Sequence, residues 1–132
     1  MFKEYINPKN SSAVIGAYSQ ALKMDLGNCE MIFVTGQIAQ DSNGNVICED
    51  IEGQTEYVFN QIKNILNEAN SDLTDVVKVQ IFLTNINDFS KVSPIRNKYF
   101  SLNKPVSTLL EVSNLVKKGC KIEIEVIAIK EK

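Results

Sequence analysis

Histidine is absent from this 132-residue sequence, and arginine occurs once, at Arg96. The first absence excludes histidine-based triads, imidazole general bases and the common zinc sites. The second leaves one residue able to grip a carboxylate or phosphate with a planar fork. Acid–base work then falls to Glu, Asp, Tyr or Lys. Cysteine is scarce too: residues 29, 48 and 120 are odd in number and match no metal or redox spacing. They are expected to be small buried hydrophobes, reduced in a cytoplasmic setting. No apolar run reaches the ~18 residues of a membrane-spanning helix. Residues 1–8 carry neither the apolar stretch of a secretory signal nor the arginines of a transit peptide. Lysines are scattered, the formal net charge is −2 and aromatics are few, which argues against a nucleic-acid surface.

What is present describes a folded chain, 44% hydrophobic and 23% charged. Its length predicts one domain over 1–132. Segments 18–26 and 30–38 read as strands joined at Gly27-Asn28, and Asn43-Gly44 marks a second turn before a short strand at 46–48. Residues 51–69 form a helix with Asp50 as N-cap; Val58, Ile62, Ile65, Leu66 and Ala69 make one apolar stripe. Residues 75–84 alternate as a strand, with Val77, Val79, Ile81 and Leu83 on one face. A second helix covers 88–101, capped by Asn87 or Asp88, with Phe89, Val92, Ile95, Tyr99 and Leu102 on its apolar side. Pro94 implies a kink there, or a start at Pro94 with Ser93 as cap. Strands at 106–112 and 121–130 close the chain.

The order is α+β, with two helices packed on one face of a sheet. The other face also carries apolar residues, Ile127 and Ile129 beside Glu123 and Glu125. A solvated face would be polar, so another copy of the chain is the expected cover. Carboxylates set beside apolar surface are desolvated, which raises their pKa toward values useful in proton transfer. A charged rim that protects a strand edge would use the same residues.

Five segments, in order, resemble the Rid family, the RidA/YjgF-like reactive intermediate (imine) deaminases formerly called endoribonuclease L-PSP. They are Ser12-Ala13-Val14-Ile15-Gly16-Ala17-Tyr18-Ser19-Gln20-Ala21, Ile32-Phe33-Val34-Thr35-Gly36-Gln37-Ile38, the strand at 75–83, Asn87-Asp88-Phe89, and Ile122-Glu123-Ile124-Glu125-Val126-Ile127-Ala128. The resemblance implies a chorismate-mutase-like α+β fold and a barrel-like homotrimer with ligand clefts between subunits. It implies hydrolysis of 2-imino acids to 2-keto acids and ammonia, without metal or organic cofactor. The family's proton-relaying glutamate matches Glu123, its cleft tyrosine Tyr18, and its hydroxyl residue before Gly-Gln matches Thr35, followed by Gly36. Backbone groups that line the family's cleft match the stretch around Leu109.

Two positions depart from the family pattern. Ser107 stands where the family has its carboxylate-binding arginine, and Ser93 where it has an asparagine. A neutral hydroxyl binds a carboxylate about half as strongly as a charged pair, so the usual 2-imino acid activity is expected to be weakened. Arg96 lies one helical turn after Ser93 and could reach the cleft; its alternative is a solvated surface position. Lys104, Lys117 and Lys118 offer only point charges. Three functions follow: an imine or enamine hydrolase, a non-catalytic trimer that binds a small metabolite or partner, and an endoribonuclease. The low arginine content and acidic balance give the last little physical support.

Overall fold

The computed structural model describes residues 2–132. Six strands form one mixed sheet: β1 (Phe2–Ile6), β2 (Ala21–Asp25), β3 (Cys29–Ile38), β4 (Val76–Leu83), β5 (Val106–Glu111) and β6 (Ile122–Glu131), in spatial order β1-β2-β3-β6-β4-β5. Only β4 and β5 run parallel; the other neighbours are antiparallel. Helices α1 (Ile51–Glu68) and α2 (Phe89–Tyr99) cover one face. The α+β expectation therefore holds.

The β2–β3 hairpin closes where expected. Gly27 takes φ +97°, and its amide donates to the Asp25 carboxylate at 2.9 Å. The second expected hairpin shrinks to one bridge, Gln40 to Val46, so the strand at 46–48 does not form. Strand β1 was not foreseen, because Lys3 and Glu4 mask its alternation; it pairs along β2 from Phe2↔Asp25 to Ile6↔Ala21. Strand β2 begins at Ala21, which leaves Tyr18 and Ser19 in the preceding loop.

Helix α1 follows its sequence pattern. The Asp50 carboxylate accepts from the Gly53 amide at 2.9 Å, and the whole expected stripe is fully buried. Strand β6 presents Ile122, Ile124, Val126 and Ala128 to the helices, also as expected. On β4, a register shift between Val76 and Lys78 turns Val76 inward and leaves Val77 41% exposed. A bulge adds one residue and so reverses the alternation at that end.

Helix α2 starts at Phe89 and runs through Pro94 without stopping. The missing Pro94 amide would have bonded the Ser90 carbonyl, and Ser90 is exposed, where solvation can offset the loss. Of the expected caps, Asp88 takes the N-cap position of α2 but makes no side-chain bond there, and neither Asn87 nor Ser93 caps it; Asn85 caps the short 3-10 turn at Ile86–Asp88, accepting from the Asn87 amide at 3.0 Å. Leu102 lies beyond the helix end and is exposed, while Phe100 takes its place in the core. Phe59 of α1 stacks on Tyr99 (centroids 4.7 Å apart) and meets Phe100 edge-on at 5.5 Å. The Tyr99 hydroxyl donates to Glu56 at 2.5 Å; burial and this bond push its pKa up to about 12. These contacts fix α2 against α1.

The cysteines divide. Cys120 is buried as expected, but Cys29 is half-buried and Cys48 exposed. Cys48 sits at φ +61° in the turn before α1, which carries its side chain out of the core. No helix is long and apolar enough to cross a membrane among the described residues.

Candidate functional site

The sheet face opposite the helices is open. Antiparallel partners share a face, so Tyr5, Leu22, Phe33, Ile127 and Lys78 line up across it, one from each of five strands. A groove of about 380 Å³ runs over these residues and Glu125. It meets a larger groove of about 570 Å³ at Tyr18 and Thr35.

The larger groove is built on a bulge. Val34 pairs with Val126 but Gln37 with Ile124, so strand β3 holds one more residue than β6 across Thr35-Gly36. Such a bulge bends the strand and re-aims its side chains. Glu123 of β6 lies directly over Gly36. A Cβ at position 36 would stand 2.9 Å from the Glu123 Cδ, 3.1 Å from its Cγ and closer still to Oε2. Only glycine leaves room for the carboxylate here. Burial, and then the neighbouring Glu125, hold the Glu123 carboxyl above its ordinary range. Tyr18, Thr35, Gly36 and Glu123 thus line one groove, with Ile15, Val116 and Lys117 at its rim.

Tyr18 is 46% exposed in a loop, not a core tyrosine on a strand. Thr35 is held from both ends: its amide donates to the Gln20 carbonyl at 2.9 Å and its hydroxyl to the Ser19 carbonyl at 2.6 Å. With its proton committed, the Thr35 oxygen faces a ligand only as an acceptor. Glu123 as a carboxylate is an acceptor as well. The groove therefore favours N–H or O–H donors, such as an iminium or a water.

Three buried glutamines that the sequence reading missed support this arrangement. Gln37 donates to the Gln20 side chain at 2.6 Å and to the Thr35 carbonyl at 3.0 Å. Gln20 in turn donates to the Ser12 carbonyl, and Gln40 to the Ser12 hydroxyl. These bonds tie the loop carrying Tyr18 to strand β3, although the Gln37 side-chain oxygen is itself buried without a partner. The available signal was polar glutamine inside otherwise apolar strand segments.

The remaining candidates lie elsewhere on the chain. Ser107 pairs with Val79, whose side chain is under the helices, so Ser107 is on the helix side of edge strand β5. The Arg96 Nη2 donates to the Ser93 hydroxyl at 3.0 Å, and Nη1 to the Ser107 hydroxyl at 3.4 Å. Arg96 is half-buried rather than fully solvated. Arg96 and Ser107 line a separate pocket of about 490 Å³, with Lys104 at its edge. The Leu109 side chain packs partly against the core, while its strand, at the sheet edge, leaves alternate backbone groups unpaired. Within one chain the Glu123 groove and the Arg96 pocket are distinct. No group of acidic or cysteine side chains among the described residues could hold a metal ion.

Known proteins resemble this chain along nearly its whole length. The family model described as endoribonuclease L-PSP matches residues 8–130. A RutC family protein of Pyrococcus abyssi is 45% identical over 99% of this chain and 100% of its own. The 2-iminobutanoate/2-iminopropanoate deaminase of Rattus norvegicus is 36% identical over 98% of this chain and 91% of its own. Among solved structures, a Rid family protein of unknown function, YyfA from Yersinia pestis, superposes with a TM-score of 0.85 at 38% identity, covering 96% of this chain and 98% of its own. The chain belongs to the Rid family, the endoribonuclease L-PSP proteins.

Proposed function

We propose that this protein, as a single-domain chain over residues 1–132, hydrolyses reactive imines to keto compounds and ammonia. Glu123 is its proton relay, and Tyr18 and Thr35 place the substrate. The observation that carries this reading is the Glu123 carboxylate, folded over Gly36 and partly desolvated, in a groove whose other fixed hydroxyl oxygen is an acceptor. Water adds to the carbon of the protonated imine while Glu123 takes one of its protons, giving a neutral carbinolamine. Glu123 returns that proton to nitrogen, the C–N bond breaks as ammonia leaves, and the Glu123 carboxylate takes the hydroxyl proton as the C–O bond becomes the keto group, then passes that proton to ammonia or solvent. No step draws on a metal or organic cofactor.

The open sheet face supports a homotrimer as the working form. Phe33, Leu110 and Val106 remain 37%, 38% and 69% exposed on that face, which a second copy would cover. A neighbouring chain would also bring its Arg96 pocket and the backbone around Leu109 toward the Glu123 groove, completing a cleft from two halves. Light scattering should then give three times the mass of one chain.

The direct test generates 2-iminobutanoate in situ and follows 2-oxobutanoate or ammonia release. Turnover by the native chain is expected, and a rate equal to the uncatalysed one would leave the metabolite-binding reading. Gly36→Ala probes the groove by steric means alone. No positive φ is required at Gly36, so the new methyl costs no backbone strain, and its three nearest neighbours are all atoms of the Glu123 side chain, from Cγ to Oε2. We expect kcat to drop about 100-fold, the scale of a misplaced catalytic group, with the melting temperature close to native. Unchanged kcat would show that the position of the carboxylate over Gly36 does not matter.

A further inference from the structure

The geometry points to Arg96 as the residue that holds the substrate carboxylate in this protein, in place of the arginine replaced by Ser107. The pairing of this anchor with an imine substrate rests on the hydrolase reading above. The anchor itself rests on how the guanidinium is held.

Arg96 carries five N–H groups. Three are taken by its own chain: Nε donates to Asn97 at 3.2 Å, Nη2 to Ser93 at 3.0 Å and Nη1 to Ser107 at 3.4 Å. One N–H remains on each terminal nitrogen, the number that a carboxylate takes from an arginine fork. No carboxylate lies within 4 Å of Arg96 among the described residues, where five lysine–carboxylate pairs are found. A half-buried arginine without an acidic partner, set in a pocket, has the charge and the free donors to take an anion. The pocket lining adds Lys104 and contains no Asp or Glu.

The two serines have a defined part. Longer side chains at 107 and 93 would compete for space beside the guanidinium, whose terminal nitrogens stand 3.4 Å from the Ser107 hydroxyl and 3.0 Å from the Ser93 hydroxyl. Two short hydroxyls admit Arg96 from the next turn of α2 and bind it on both sides. The Phe89 ring lies under the guanidinium, its centroid 6.0 Å from the guanidinium carbon, a weak cation–π contact. Rigid positioning lowers the entropy lost when a ligand binds. The departures at 93 and 107 thus relocate the cation from strand β5 to helix α2 and keep the pocket selective for carboxylate-bearing substrates.

Binding and turnover test this separately. Calorimetric titration with 2-oxobutanoate, the product keto acid, should give a Kd about 10- to 100-fold weaker for Arg96→Gln than for the native chain, the worth of a charged hydrogen-bonded contact. The uncharged 2-oxobutanamide should bind both equally, which a general loss of folding would not permit. Arg96→Lys should recover part of the affinity. Arg96→Gln with Ser107→Arg should recover most of it, because the fork returns from the strand. In turnover, Arg96→Gln should raise KM for 2-iminobutanoate far more than it lowers kcat. Equal 2-oxobutanoate affinity in native and Arg96→Gln proteins, or none in either, would overturn the proposal. Native turnover with an unchanged Arg96→Gln KM would reject Arg96 and keep the hydrolase. Binding through Arg96 without turnover would do the reverse.

Discussion

Glu123→Gln is expected to lower kcat for 2-iminobutanoate by about 100- to 10,000-fold, the usual contribution of a positioned acid–base group. The amide keeps the shape of the side chain over Gly36 but cannot carry a proton, so KM should stay close to native. The acid limb of the pH–rate profile supplies a second signature. The hydrolysis needs Glu123 ionised to accept a proton from water, and burial raises its pKa. Activity should therefore fall, on acidification, at a pH above the ordinary carboxylate range, and Glu123→Gln should lack that limb.

Stability should move the opposite way. A carboxyl whose folded pKa is raised stabilises the fold fully only below its unfolded pKa, and that contribution is lost as pH rises through the folded value. At neutral pH the native chain holds a desolvated charge that Gln does not. Glu123→Gln should melt higher than native at pH 7, with the difference closing toward pH 4. A lower melting temperature at pH 7, or a residual kcat within about tenfold of native, would remove Glu123 from the proposed role.

Phe59→Ala should be the most damaging change to the fold. Its ring is fully buried and touches both Tyr99 and Phe100, which end helix α2 and begin the turn after it. Truncation of such a ring costs about 3–5 kcal/mol, a large part of the ~5–15 kcal/mol that stabilises a typical domain. Urea unfolding at matched protein concentration measures it. Because Phe59 seats α2 and α2 carries Arg96, 2-oxobutanoate affinity should weaken in the same variant before global unfolding. A loss under ~1 kcal/mol would mean that α2 is held mainly by the Glu56 contacts with Lys98 and Tyr99.

The strong periodicities of α1 and β6 determine their elements and inward faces, because one apolar side there is unambiguous. Strand β1 was illegible: its five residues include two charges, and only pairing with β2 makes it a strand. Val77 was misassigned because a bulge depends on the partner strand, and the partner is remote in sequence. Glu123, Tyr18 and Thr35 could be named from the resemblance, but their grouping depends on the bulge at Thr35-Gly36 and on the glutamine network. The contact between Arg96 and Ser107 joins residues eleven apart on a helix and a strand. Sequence spacing alone suggested the reach of Arg96 toward Ser93, one turn away, and could not reveal its second hold.

The placement of β6 between β3 and β4 has a consequence for biosynthesis. Translation is vectorial, and β6 is made after every strand it joins. Until it emerges, β3 and β4 each expose an unpaired edge, and α1 has no continuous sheet to cover. The catalytic carboxylate proposed here arrives on that same strand, so the groove over Gly36 and the centre of the sheet are completed in one event. Nascent chains stalled before residue 122 should thus be the form most in need of a chaperone. Loss of edge strand β1 would leave the central pairings in place, whereas loss of β6 would divide the sheet in two.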